Sequence, residues 1–172
     1  MHPSRIPHEE LLHDCRRENT RGSGPGGQHR NRVATAVRLT HKPTGIMGQA
    51  YERRSQKDNA RVALFRLRLN LAMDYRKPLK DCDFKAPYQT SEAWNSRRKG
   101  SKIRVNPKHD DVPALLAEVL DLLHLHEDDC RKVAALLEVT VSQLVKFLGC
   151  EPRALNAVNQ RRQKKGLKTY KV

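Results

Sequence analysis

Four glycines and a proline fall within residues 21–32, Arg-Gly-Ser-Gly-Pro-Gly-Gly-Gln-His-Arg-Asn-Arg, a run that contains Gly26-Gly27-Gln28 and has arginines on both sides. Glycines at this density lose excess backbone entropy on ordering and offer no side chain to a core, so a loop is expected here. Gly26 and Gly27 let the backbone reach positive φ and approach a ligand at contact distance, while the Gln28 amide carries a donor end and an acceptor end. Arg21, Ser23, Arg30, Asn31 and Arg32 surround that tip with groups suited to an RNA phosphate or ester. No atom of a glutamine side chain is a competent base at neutral pH. Chemistry at such a tip would therefore be positioning and electrostatic stabilisation, without a triad.

A loop of this kind needs regular structure on both sides. A short helix is expected over residues 8–13 and an edge strand over 14–20. Residues 34–41 alternate, with Val37 and Leu39 on one face, and Lys42-Pro43-Thr44-Gly45 is a turn signal before a second strand over 46–51, which together read as a β-hairpin. Ser55 can cap a helix running to residue 75, because Ala60, Ala63, Leu64, Leu67 and Leu71 recur at helical spacing while Arg61, Arg66 and Arg68 lie largely off that stripe. Pro78 opposes its continuation. The expected class is α+β, a small mixed or antiparallel sheet with one packed helix, occupying residues 1–80.

Residues 81–109 lack sustained periodicity and read as a basic linker, whose run from Arg97 to Arg104 is either solvated or in contact with RNA. Residues 110–158 read as a small all-α module. Between Lys108 and Arg131 stand seven acidic residues and no lysine or arginine, over a pattern of Leu115, Leu116, Val119, Leu120, Leu122 and Leu123 that predicts an amphipathic helix. Further helices are expected over 128–137, over 141–148 and from Pro152. Residues 130–148 somewhat resemble a helix-turn-helix, which leaves a DNA-binding regulator as one alternative. Glu138 stands in the turn where a glycine is usual, and only Ser142, Gln143 and Lys146 are offered for groove contacts, so a packed helical module is the favoured reading. Residues 159–172 form a basic tail with six cationic side chains and no acid, expected to stay disordered until it meets an anion.

The whole chain, 172 residues with a net charge of +15 and 5% aromatic residues, suits attraction to a polyanion without stacking of bases on aromatic platforms. Cys15, Cys82, Cys130 and Cys150 form no CxxC pair and the histidines are scattered, so reduced thiols, no metal site and no cofactor are expected. No apolar run is long enough to span a bilayer and no signal peptide is evident, from which a cytoplasmic, monomeric protein without a membrane partner is expected.

Gly24-Pro25-Gly26-Gly27-Gln28, then Asn31, then Val37-Arg38-Leu39-Thr40-His41-Lys42-Pro43-Thr44-Gly45-Ile46, then Arg54-Ser55-Gln56 and Asn59 resemble the catalytic domain of bacterial-type class I peptide chain release factors. The likeness covers roughly the first half of the chain, with the blocks in the family's order. One departure is Arg30, which stands where the family usually has valine or isoleucine. The resemblance implies hydrolysis of the peptidyl-tRNA ester on the ribosome, with ribosomal RNA and peptidyl-tRNA as partners. By the same resemblance, the Gln28 backbone N–H stabilises the oxyanion, Gly26 and Gly27 set the turn that aims it, and the Gln28 side chain selects water. Arg54, Gln56 and Asn59 would contact RNA or complete the start of the helix. Complete release factors carry a stop-codon-reading domain before this one, whereas here twenty residues precede Arg21. The chain thus looks more similar to short ribosome-rescue hydrolases that act without a codon and place a basic tail in an empty mRNA channel. Arg161, Arg162, Lys164, Lys165, Lys168 and Lys171 would be that tail's phosphate contacts. A non-catalytic protein that binds ribosomal RNA is the remaining alternative.

Overall fold

The computed structural model describes residues 2–20, 34–76 and 88–171, and the chain divides into two units, Met1–Tyr75 and Arg76–Val172. In the first, helix α1 (His8–His13) leads into strand β1 (Cys15–Thr20), followed by β2 (Ala36–His41) and β3 (Met47–Ala50). The sheet is antiparallel with order β1-β2-β3, so β2 is the middle strand. Along β2, Val37 and Leu39 are buried and Arg38 is exposed, the alternation that a sheet with one covered face imposes. The β2–β3 turn closes with the Gly45 N–H donating to His41 O at 2.8 Å, and Gly45 takes φ 71, a backbone that glycine adopts without strain.

Helix α2 (Gln56–Asp74) covers the sheet. Ser55 caps it, its Oγ accepting from Asp58 N at 3.3 Å, and Ala63, Leu67 and Leu71 join Leu11, Val37, Leu39 and Ala50 in a single core. The α+β class expected from the periodicities is the one observed. Gly48 on β3 lies directly under α2, where a side chain would meet the backbone of Ala63 and Leu67. Arg68, expected off the apolar stripe, is instead buried. Its guanidinium donates to Ser4 O at 3.0 and 3.3 Å and lies 2.8 Å from His8 Nε2, because α2 packs on the N-terminal segment as well as on the sheet. Buried His2 completes that side: its Nδ1 accepts from Ser4 N and Oγ, which leaves Nε2–H to donate to Tyr75 O at 3.1 Å.

The second unit departs from the expected linker, acidic face and loose tail. Within the stretch read as a linker, the structure has helix α3 (Glu92–Arg97) and a short antiparallel hairpin, β4 (Arg98–Lys99) with β5 (Lys102–Ile103). Trp94 explains why. It is fully buried, stacks edge-on against Phe147 at 5.8 Å and donates its indole N–H to Leu137 O at 3.0 Å, so this segment belongs to the helical core. Helix α4 (Val112–Leu125) is buried on nearly all sides, including Glu118 and Asp121. Those acids do not form a solvated face, because residues 88–91 and Arg76 cover them: Glu118 accepts from Tyr88 Oη at 2.6 Å, from Ser91 N at 2.9 Å and from Ser91 Oγ, and Asp121 pairs with Arg76 at 3.5 Å. Helices α5 (Cys130–Leu136), α6 (Val141–Leu148) and α7 (Pro152–Lys164) follow as the pattern predicts. Burial pushes the Cys130 thiol up to about 11, the state of an inert core cysteine.

The segment expected to be a disordered tail is tied down. Arg161 grips both Asp128 carboxylate oxygens with donors at 2.8–3.1 Å, and Arg162 donates to Asp128 O at 2.7 Å and to Lys168 O at 2.8 Å. Arg162 also stacks its guanidinium on the Tyr170 ring at 4.4 Å, while the Asn159 amide exchanges two hydrogen bonds of 2.8 Å with the Tyr170 backbone. Self-repulsion among the tail cations was the basis for expecting disorder; the buried Asp128 carboxylate neutralises Arg161, and Arg162 is held by backbone carbonyls and the Tyr170 ring.

Candidate functional site

Gly26, Gly27 and Gln28, together with Arg21, Ser23, Arg30, Asn31 and Arg32, lie outside the described residues, as does the loop expected there. Its anchorage is described. Thr20 at the end of β1 is the register partner of Ala36 at the start of β2, so the chain leaves and re-enters the sheet at neighbouring positions. The returning strand is fastened to the first turn of α2. Gln56 Nε2 donates to Ala34 O at 3.2 Å and Asn59 Nδ2 donates to Thr35 O at 2.7 Å. Asn59 also binds the turn before the helix, donating to Arg53 O at 2.8 Å and accepting from Arg53 N at 2.9 Å.

These bonds correct one expected RNA contact. Asn59 is fully buried and both of its amide hydrogens are engaged, so it has no donor to present to RNA. It holds the foot of the loop instead. Gln56 is exposed and uses one amide hydrogen on Ala34, and Arg54 is exposed just before the helix, which leaves both compatible with a phosphate. Lys57 and Arg61, four residues apart and exposed, extend positive charge along the same helix, and their i, i+4 spacing is the signal in the sequence that points to them.

At the other candidate site the correction is similar. Arg161 and Arg162 are committed to Asp128, Lys168 and Tyr170, while Lys164, Lys165, Lys168 and Lys171 are exposed. Lys165 reaches Glu127 O at 3.2 Å.

Removing the Asn59 bracket has a definite expected cost. Asn59→Ala leaves the Thr35 and Arg53 carbonyls and the Arg53 N–H without this partner, a destabilisation of about 2–3 kcal/mol, whereas exposed Gln56→Ala costs under about 1 kcal/mol. Chemical denaturation of the two variants checks the ordering.

Residues 6–112 match the family model described as the RF-1 domain. The chain belongs to the RF-1 domain family. It is 43% identical over 82 residues to peptide chain release factor 2 of Acidovorax sp. (strain JS42), a match covering 47% of this chain and 22% of that protein. With peptide chain release factor 1 of Mesoplasma florum it shares 36% identity over 91 residues, 53% of this chain and 24% of the relative. The mitochondrial peptide chain release factor 1-like protein of Mus musculus is 37% identical over 95 residues, 55% of this chain and 22% of the relative. The matches thus span less than a quarter of the length of these relatives. The RF-1 match contains Gly26-Gly27-Gln28, the bracketing residues Gln56 and Asn59, and the whole of the three-stranded sheet with α2.

Proposed function

We propose that this chain hydrolyses the ester of peptidyl-tRNA on the ribosome, with Gly26, Gly27 and Gln28 as the catalytic tip. The observation that carries this reading is that Gly26-Gly27-Gln28 lies within a release-factor family match and between two paired strand ends, the returning one of which is fastened to the first turn of α2. A backbone donor fixed where the oxyanion develops accelerates acyl transfer without a proton-transferring side chain, which suits a tip that has none. Arg54 and Gln56, with the loop arginines, would meet ribosomal RNA phosphate, and ribosomal RNA would supply the remaining enclosure of the ester.

The finer reading is release from stalled ribosomes without a stop codon. Its support is the composition of the second unit, whose C-terminal end exposes Lys164, Lys165, Lys168 and Lys171 as a cluster able to displace counterions from RNA phosphates. Release is expected at similar rates from purified complexes with a stop codon, a sense codon or no codon in the decoding site. A strict dependence on stop codons would replace rescue by termination. Neutralising the four lysines to Ala is expected to weaken binding to ribosomes with truncated mRNA and to flatten the dependence of log affinity on log salt by roughly 0.7 per lost phosphate contact. Arg161 and Arg162 are left intact in that variant, so the α7 anchorage on Asp128 is preserved.

A further inference from the structure

The hairpin β4–β5 and the helix pair α5–α6 meet at one point. Between α5 and α6 the chain turns through residues 137–140, where Glu138 takes φ 52, the left-handed backbone at the position where a helix-turn-helix usually has glycine. Thr140 caps α6, and its backbone N–H donates to Ser101 O at the tip of the hairpin, at 3.2 Å. Arg98 of β4 pairs with Glu138 at 2.8 Å, which fastens the hairpin to the same turn. The hairpin is therefore docked at the start of α6.

The junction exposes an excess of cations, its one exposed acid, Glu138, being paired with Arg98. Lys99 and Lys102 are register partners across the hairpin, so two ammonium-bearing side chains project from the same face directly opposite one another. Like charges so placed destabilise a sheet of any size, and this one has two residues in each strand. Neither lysine has an acidic partner among the described residues. Arg104 continues the exposed charge, and on α6 Ser142, Gln143 and Lys146 share one face at spacings of three and four.

We propose that the tip of this hairpin and the outer face of α6 form one docking surface for the phosphate backbone of a double-stranded RNA stem. The charge calls for a polyanion, and an anion between Lys99 and Lys102 offsets their repulsion. Single-stranded RNA would need stacking platforms, but Trp94 and Phe147 are buried. A base-reading role in DNA would need a recognition helix with several long side chains; α6 is eight residues, about 12 Å, and offers Lys146 beside Ser142 and Gln143. A-form duplexes are recognised by shape and by backbone, which requires cations at set positions and few base-reading groups. The choice of RNA over DNA rests on the proposed ribosomal function.

The test uses the full chain and naked nucleic acid. Fluorescence anisotropy across a salt series compares wild type, K99A/K102A/K146A and K99R/K102R/K146R on a short RNA duplex, a DNA duplex of the same sequence and a single-stranded oligouridylate. The Ala variant is expected to lose about tenfold or more in duplex RNA affinity and to show a log–log salt slope shallower by about two to three, while the Arg variant keeps both. The melting temperature of the Ala variant should be equal to or above that of wild type, since a like-charge pair is removed. An unchanged affinity and slope in the Ala variant overturns the proposal, as does tighter binding of the DNA duplex or of the single strand. Peptide release by wild type is assayed separately on ribosomes, so a failed release assay refutes the catalytic reading without touching the duplex-binding result.

Discussion

Gly27→Ala is expected to cut peptide release from peptidyl-tRNA by about 100-fold or more while changing ribosome affinity little, because removal of one preorganised oxyanion donor costs about 10²–10³ in rate. The added Cβ acts where the proposed mechanism has the backbone approach the ester, and it leaves every cationic side chain in place. Gln28→Ala is the informative comparison. It retains the backbone N–H and deletes the side chain that would discriminate water from larger nucleophiles. Its hydrolysis should fall less than that of Gly27→Ala, and its use of added nucleophiles such as hydroxylamine should rise relative to water. Single-turnover release measured beside equilibrium ribosome binding separates these effects. Release by Gly27→Ala at the wild-type rate would remove the catalytic assignment.

The largest expected effect on folding belongs to Gly48→Ala. A Cβ on Gly48 would stand 2.7 Å from Leu67 Cα and closer still to Ala63 O and Leu67 N, all backbone atoms that no rotamer change can move aside. Helix α2 would have to lift from β3, which loosens Leu67 and Ala63 in the core they share with Val37 and Leu39. Overpacking of this kind costs about 3 kcal/mol, a large part of the about 5–15 kcal/mol that stabilises an ordinary domain. Gly45→Ala provides the contrast: its Cβ meets nothing within 4 Å, and its cost is the strain of φ 71, about 1–2 kcal/mol. Denaturant unfolding of both variants, followed by far-UV circular dichroism, measures the difference.

The parts of this architecture governed by period were legible in the sequence. Val37 and Leu39 alternate because one face of β2 is covered, and Ala63, Leu67 and Leu71 recur because one stripe of α2 covers it. Partners remote in sequence were not legible. Asn59 looks like any polar residue in a first helical turn until Thr35 and Arg53 are brought beside it. Arg161 and Arg162 read as repelling charges because Asp128, which neutralises one and accepts from the other through its carbonyl, enters only through the tertiary fold. Glu118 and Asp121 read as a wet face because nothing in α4 announces that Tyr88, Ser91 and Arg76 cover it. In each case the error concerns a polar side chain whose role depends on what packs over it. Within the candidate site, the clamp of Gln56 and Asn59 on Ala34 and Thr35 emerged from geometry alone.

The bond between His2 and Tyr75 bears on how the first unit relates to longer polypeptides. With His2 Nε2 at 3.1 Å from Tyr75 O and the two rings edge to face at 5.3 Å, this unit takes in and gives out its chain at adjoining points. A body with adjoining ends can be spliced into a surface loop of a host protein, or fused to a new neighbour, without a strand having to cross its face. Modularity of that kind makes the unit a candidate for grafting: inserted into an unrelated host loop, residues 2–75 carry both ends of their own closure with them.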